Sequence, residues 1–254
     1  MTTGDVTVLS IGTTHPWNVA GTGLDLRIGT ELGVRVLSVV AAVSAQDARG
    51  VHALEPLSAA IIRAQLDAID WDLVDAVRVG ALGSAAAVQL VAQAIRGADL
   101  PAVIDPVLAA SGGGALADDA TQRAIGDDLL SLPQAIVTPN LAEASALLGR
   151  EVGRAQLVDA ARELRSRGAR AVLLKGGHLS GEPSDVLADA DGVETFAGGR
   201  IPGDMRGTGC TLAMALACAL ARGDELRAAV RFARAFVRER IAHAVQVDGM
   251  RAAY

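Results

Sequence analysis

Two glycines flank a threonine in Arg206-Gly207-Thr208-Gly209-Cys210-Thr211, and the chain then runs into Leu212–Arg222, a stretch of Ala, Leu and Met with no Pro or Gly before Gly223. A glycine-rich turn that opens a helix can aim several backbone N–H groups at one point. The unpaired amides of the first turn and the helix dipole both favour an anion there. Cys210 falls in that first turn, beside the anion. Phosphoryl transfer calls for such a device, because its transition state spreads negative charge over oxygens that need donors. Read alone, the same residues also suit a plain turn before a core helix.

Other residues could join this chemistry. Lys175 is the only lysine among 23 basic Lys and Arg residues, and it stands between an apolar strand pattern and two glycines. A compact ammonium suits a polyphosphate approached closely by backbone; the alternative is a surface lysine at a strand end. Asp105 follows Ala-Val-Ile and precedes Pro106. It can hold Mg²⁺ through water or simply form a turn before proline. Asn140 and Glu143 lie three apart in Thr138-Pro-Asn-Leu-Ala-Glu143, the spacing of a capping box. The same geometry would also turn them toward a metal and its waters. Cys210 offers a base, a neutral wall or a small core residue; its place at a helix N-terminus predicts a lowered thiol pKa. No zinc spacing, Ser-His-Asp order, GxSxG elbow or P-loop is present.

The elements that must position these groups follow from periodicity. Strand patterns at Val6–Ile11, Val34–Val43, Ala76–Val79, Ala102–Asp105, Ile136–Thr138 and Ala171–Lys175 alternate with helix patterns. The helices are Gly21–Leu32, Leu57–Ile69, Ser84–Arg96, Asp118–Leu130 and Arg154–Arg167. Val186–Ala188 and Val193–Phe196 flank an Asp/Gly turn and predict a hairpin, and Asp224–His243 predicts a closing helix. The alternation predicts an α/β fold with a mostly parallel sheet covered on both faces. In open sheets of this kind ligands bind beyond the carboxyl ends of the strands. The polar and glycine residues collect there: Gly12-Thr13, Ser44-Ala45-Gln46, Gly80, Asp105-Pro106, Thr138-Pro139-Asn140 and Lys175-Gly176-Gly177-His178.

Composition narrows the class. The chain has 254 residues, half of them hydrophobic, and no repeat, linker or low-complexity tract, which predicts a single domain over 1–254. A net charge of −6 without a basic block argues against a nucleic-acid groove. Cys210 and Cys218, on one predicted helix, stand roughly 12 Å apart along its axis, too far for a disulfide. No signal pattern or membrane-length apolar run is seen, so the expectation is a cytoplasmic protein with no membrane partner.

With these pieces assembled, the chain resembles the ribokinase superfamily, and within it the hydroxymethylpyrimidine/phosphomethylpyrimidine kinase branch of thiamine biosynthesis. The resemblance runs from about Ala20 to Ala242. It is carried by Val103-Ile-Asp-Pro-Val107, Thr138-Pro-Asn-Leu-Ala-Glu143, Leu173-Leu-Lys-Gly-Gly-His178 and Gly207-Thr-Gly-Cys-Thr211. It implies a three-layer αβα ribokinase-like fold and an ATP- and Mg²⁺-dependent kinase acting on hydroxymethylpyrimidine, its monophosphate, or both. A kinase of another small aromatic alcohol such as pyridoxal, or a catalytically idle nucleotide-binding module, is the alternative. The resemblance implies that Gly207, Thr208 and Gly209 form the anion hole and that Lys175 contacts ATP phosphates. Asp105, Asn140 and Glu143 would organise Mg²⁺ and its waters, Cys210 would sit beside the reacting hydroxymethyl group, and Gln46 would read the pyrimidine edge. Relatives of this kind are often dimers, which leaves a homodimer open.

The acceptor half departs from that pattern. The family's Gly-Ser-Asp-x-x-Gly-Gly loop reads Gly12-Thr-Thr-His-Pro-Trp-Asn-Val-Ala-Gly21, with no acid at Thr14 and with bulky His15 and Trp17. The strand expected to end Gly-Met ends Gly80-Ala81. Arg206 replaces a histidine and either adds charge toward phosphate or faces solvent.

Overall fold

A computed structural model describes residues 6–177, 184–203 and 205–252. Nine strands form one sheet in the order β3-β2-β1-β4-β5-β6-β7-β8-β9. They are β1 (Thr7–Thr14), β2 (Arg35–Asp47), β3 (Gly50–Pro56), β4 (Ala76–Val79), β5 (Ala102–Ile104), β6 (Ala135–Val137), β7 (Ala171–Leu174), β8 (Ser184–Asp189) and β9 (Gly192–Ala197). The run from β2 to β7 is parallel, whereas β3, β8 and β9 pair antiparallel at the two edges.

Alternation along the strands sends side chains to two helical layers. Leu9, Val77, Val79, Ile104, Val137 and Val172 pack with residues of α2 (Ala59–Asp67), α3 (Ala85–Gly97), α5 (Leu141–Leu148) and α6 (Leu157–Arg165). Val8, Ala76, Val103, Ile136 and Leu173 face α1 (Gly21–Glu31), α7 (Thr208–Ala221) and α8 (Leu226–Ala242). Between α3 and α5 lies the short α4 (Asp119–Ala124). In α7, every residue from Thr211 to Leu220 is buried. Its small Ala and Cys side chains let it lie tight on the sheet, so a core poor in aromatics still fills. The layers are those of the expected three-layer αβα fold.

The elements depart from expectation in four places. β2 continues through Ser44–Gln46 to Asp47 and turns back as β3, so those residues lie within a strand, not beyond its end. β3 is an edge strand of mixed, partly exposed residues without a two-residue apolar alternation, and it carries little sequence signal. The helix expected over Asp118–Leu130 is α-helical only to Ala124 and widens to a π turn over Ile125–Leu129. A small hairpin, β10 (Val245–Val247) and β11 (Met250–Ala252), follows α8. Ser84 caps α3 as read from the sequence, accepting a hydrogen bond from the Ala87 amide.

Candidate active site

The carboxyl ends of adjacent parallel strands build the site. Each strand continues its ladder for one residue beyond its last regular position: the Gly80 amide donates to Ile11, Asp105 to Val79, and Thr138 to Ile104. Lys175, past the end of β7, donates its amide to the Pro139 carbonyl and bridges Asn140. Gly12, Gly80, Asp105, Thr138 and Lys175 therefore stand side by side because the strands register that way.

Lys175 Nζ donates to Oδ1 of Asp105 at 2.9 Å. Thr138 Oγ1 donates to the same oxygen at 3.4 Å. Asp105 is buried, and the lysine side chain keeps 16% exposure, enough to reach a ligand. The Gly207–Cys210 turn faces this pair. A Cβ placed on Gly209 would lie 3.2 Å from Lys175 Nζ and 3.3 Å from Asp105 Oδ2. A bare glycine thus lets a cradle of first-turn amides close in on the ammonium and the carboxylate. Gly207 has φ +77°, and a Cβ there would lie 2.1 Å from the Val19 carbonyl, so only glycine fits. No side chain caps α7. Its first-turn amides are the kind that accept an outside anion.

Asn140 and Glu143 form a complete capping box at α5. The Asn140 side chain accepts from the Glu143 amide at 2.9 Å, and Glu143 Oε2 accepts from the Asn140 amide at 2.7 Å. The cap also holds the buried Glu143 carboxyl against the site. Burial raises its pKa to about 7, while the charge of Lys175 pulls it down and that of Asp105 pushes it up. Among the described residues no three His, Cys, Asp or Glu side chains gather as a metal cage. The carboxylates of Asp105 and Glu143, both set against Lys175, are a donor set that suits Mg²⁺, which keeps several waters and takes one or two carboxylates together with substrate phosphates.

Cys210 reverses the expectation of a lowered pKa. Burial pushes the thiol up, and this outweighs the pull of the nearby Arg78 and of the Gly21 backbone. The Gly21 amide donates to its sulfur. The geometry therefore presents a neutral thiol rather than a base. Both cysteines are free, as their spacing on one helix required.

Arg78 is the site residue that sequence reasoning missed. Its guanidinium is fully buried, 3.1 Å from Asp25 and 3.5 Å from Asp105, with Cys210 also interacting. The signal was present: an arginine stands inside the apolar strand Ala76–Val79, where a charge must find partners.

The acceptor side is bounded differently from expectation. A Cβ on Gly12 would lie 3.6 Å from the Ala81 carbonyl, so Gly12 and the buried Ala81 share one wall. Gln46 is half-buried on β2 and donates to Ser44 Oγ at 3.2 Å. Trp17 packs with Val19, Met250, Ala252 and Ala48 instead of opening onto that wall. His15 is buried and bonded through Nε2 to Ala20, and burial lowers its pKa. Arg206 is half-buried rather than free in solvent. It donates to the Ala48 carbonyl at 2.9 Å and lies against Gly112, where a Cβ would collide with the guanidinium. It ties the turn to the β2–β3 hairpin. His178 lies outside the described residues.

The comparisons agree with this architecture. The model of the phosphomethylpyrimidine kinase family matches residues 16–253. A hydroxymethylpyrimidine/phosphomethylpyrimidine kinase of Rhizobium meliloti is 39% identical, with 94% of this chain and 92% of that protein covered. The crystal structure of a phosphomethylpyrimidine kinase from Clostridium difficile superposes with a TM-score of 0.81 at 28% identity, covering 92% of this chain and 99% of that one. Pyridoxal kinase from Staphylococcus aureus, solved with AMP-PCP and pyridoxal, superposes with a TM-score of 0.88 at 25% identity, covering 98% and 93%.

Proposed function

The chain belongs to the phosphomethylpyrimidine kinase family and is a phosphotransferase, and on that premise we propose that it transfers the γ-phosphoryl group of ATP to hydroxymethylpyrimidine and to its monophosphate, within thiamine biosynthesis. The observation that carries this reading is the placing of Lys175 and Asp105 against Gly209, far apart in sequence yet within contact of one cradle. The amides of Thr208, Gly209 and Cys210 would surround the transferred group, and Lys175 would meet the nucleotide phosphates. Asp105 and Glu143 would hold Mg²⁺ through its waters, with Asn140 fixing Glu143 by the cap. When bound, that ion supplies charge neutralisation between phosphates. Gln46, Gly12 and Ala81 would contact the acceptor ring. One nine-stranded sheet draws on residues 7 to 197, which supports a single kinase domain.

A neutral Cys210 fits both acceptors. The second nucleophile is already an anionic phosphate, and a fixed carboxylate at 4 Å would oppose it by about 4 kcal/mol at an effective dielectric near 20. A thiol avoids that repulsion. The transfer is then in-line, with catalysis by positioning and charge stabilisation. A second acceptor, pyridoxal, is favoured by the superposition on the Staphylococcus aureus enzyme. Turnover with ATP, Mg²⁺ and each of the three acceptors tests the reading. Phosphorylation of both pyrimidines supports it; turnover with pyridoxal alone replaces it.

A further inference from the structure

A buried chain of polar groups runs beneath the cradle. Ser10 Oγ on β1 donates to Asp25 Oδ2 on α1 at 2.6 Å. The same oxygen lies 3.1 Å from Arg78 Nη1, and Arg78 Nη2 lies 3.5 Å from Asp105 Oδ2. The opposite oxygen of Asp105 receives Lys175. Ser10, Asp25 and Arg78 are all fully buried, so none of them can meet substrate from solvent. Arg78 makes no aligned hydrogen bond from its guanidinium nitrogens to oxygen or nitrogen, so the charges of Asp25 and Asp105, with a contact to the Cys210 sulfur, hold it there. Gly80 lies directly over it: a Cβ at that position would fall 2.2 Å from Nη1. Gly12 closes from the β1 side at 3.7 Å.

Burying three charges is costly, and a hydrophobic trio of similar volume would serve the core at least as well. What the arrangement provides is orientation. A carboxylate gripped at one oxygen by Lys175 alone can rotate with that flexible side chain. Gripped at both oxygens by cations on opposite sides, it is fixed before any ligand arrives, which is preorganisation of the kind that phosphoryl transfer rewards. We propose that Arg78, anchored by Asp25 and Ser10, is a positioning residue that fixes Asp105 between two cations and so holds the magnesium- and phosphate-facing half of the site in register. This rests on the functional reading above and adds to it a set of residues that never touch the reactants.

The test measures binding and turnover in parallel. ATP titrated calorimetrically into the full chain with Mg²⁺, without acceptor, reports on Asp105 independently of acceptor identity. Arg78→Gln is expected to weaken magnesium-dependent ATP binding about 10- to 100-fold, the range for loss of one charged contact. Its binding of ATP in EDTA should stay within about threefold of wild type, since the amides and Lys175 remain. Arg78→Lys keeps the charge and should recover most of that loss. Asp25→Asn releases Arg78 onto Asp105 and should raise the Mg²⁺ concentration for half-maximal activity about tenfold. Folding is checked by cooperative melting. Should Arg78→Gln fail to fold, the Lys and Asn variants decide: a wild-type Mg²⁺ requirement in Asp25→Asn overturns the proposal. Folded Arg78→Gln protein with wild-type magnesium dependence also overturns it, as does equal impairment of the Gln and Lys variants. Absence of ATP turnover in the wild-type chain would instead sink the functional reading.

Discussion

Lys175 Nζ and Asp105 Oδ1, 70 positions apart in the chain, meet at 2.9 Å, both within 3.6 Å of where a Cβ on Gly209 would lie. Three separate elements, the ends of β5 and β7 and the start of α7, converge on that point. Each is placed by the parallel register rather than by local sequence. Glycine at 209 lets the first turn of α7 come this close to the pair.

A side chain at this contact should weaken nucleotide binding without unfolding the protein. Gly209→Ala adds a Cβ 3.2 Å from the ammonium and 3.3 Å from the carboxylate. Position 209 lies in the first turn of α7 and its neighbours there are side-chain ends, so the fold should survive the change. ATP affinity should fall at least about tenfold. Calorimetry and a melting curve on the same sample check both halves; unchanged affinity would mean that the phosphates lie elsewhere.

The two charged partners should separate in their effects. Lys175→Ala should raise the KM for ATP about tenfold or more, because a phosphate loses its ammonium. Asp105→Asn should chiefly raise the Mg²⁺ requirement. Steady-state kinetics with ATP and Mg²⁺ varied independently distinguish them. Normal kinetics in both variants would refute the assignment of the nucleotide half.

Much of this was legible in the sequence for a physical reason. Residues such as Gly207, Gly209, Asn140 and Lys175 act through backbone geometry or local spacing, and both leave marks within a few positions. Ser84 as a cap and Ala76–Val79 as a strand could be read from neighbours alone. Arg78 could not be placed so easily, because its partners Asp25 and Asp105 are distant in sequence and only the sheet unites them. β3 escaped because an exposed edge strand needs no apolar alternation. The thiol of Cys210 was misjudged for the same reason as Arg78: helix position is local, whereas burial, which prevails, is tertiary.

A carboxylate in place of that thiol should discriminate between acceptors. Cys210→Asp would set a negative charge beside the reacting oxygen, over a floor that already carries Asp25 and Asp105. Phosphorylation of the monophosphate should fall more than that of the alcohol. The repulsion of about 4 kcal/mol at 4 Å corresponds to a difference of up to roughly 1000-fold in kcat/KM, reduced where Arg78 screens it. Equal losses on the two acceptors would contradict the electrostatic account.

Glu143 gives the pH dependence a sign. Its ordinary pKa of 4.5 rises to about 7 in the folded state because burial disfavours the charge. Between those values the folded chain keeps a proton that the unfolded chain has released, so stability falls as pH rises through the window. The span corresponds to about 3 kcal/mol at most. Glu143→Gln removes the titration. In metal-free buffer the stability of the variant relative to wild type should therefore increase from pH 4.5 to 7 and level off above. Urea unfolding at fixed pH values measures this, and parallel profiles would show that the carboxyl is not desolvated. His15, whose pKa burial lowers, contributes an opposite slope below pH 6.5 in both proteins and cancels in the difference.

The most direct measurement of the central claim follows a labelled phosphoryl group. Wild-type chain is incubated with γ-labelled ATP, Mg²⁺ and hydroxymethylpyrimidine, and the products are separated. The account predicts label first in the monophosphate and then in the diphosphate, with the rate of both falling at least about tenfold in Gly209→Ala at subsaturating ATP. Label confined to inorganic phosphate, or transfer that persists undiminished when the cradle is filled, would contradict it.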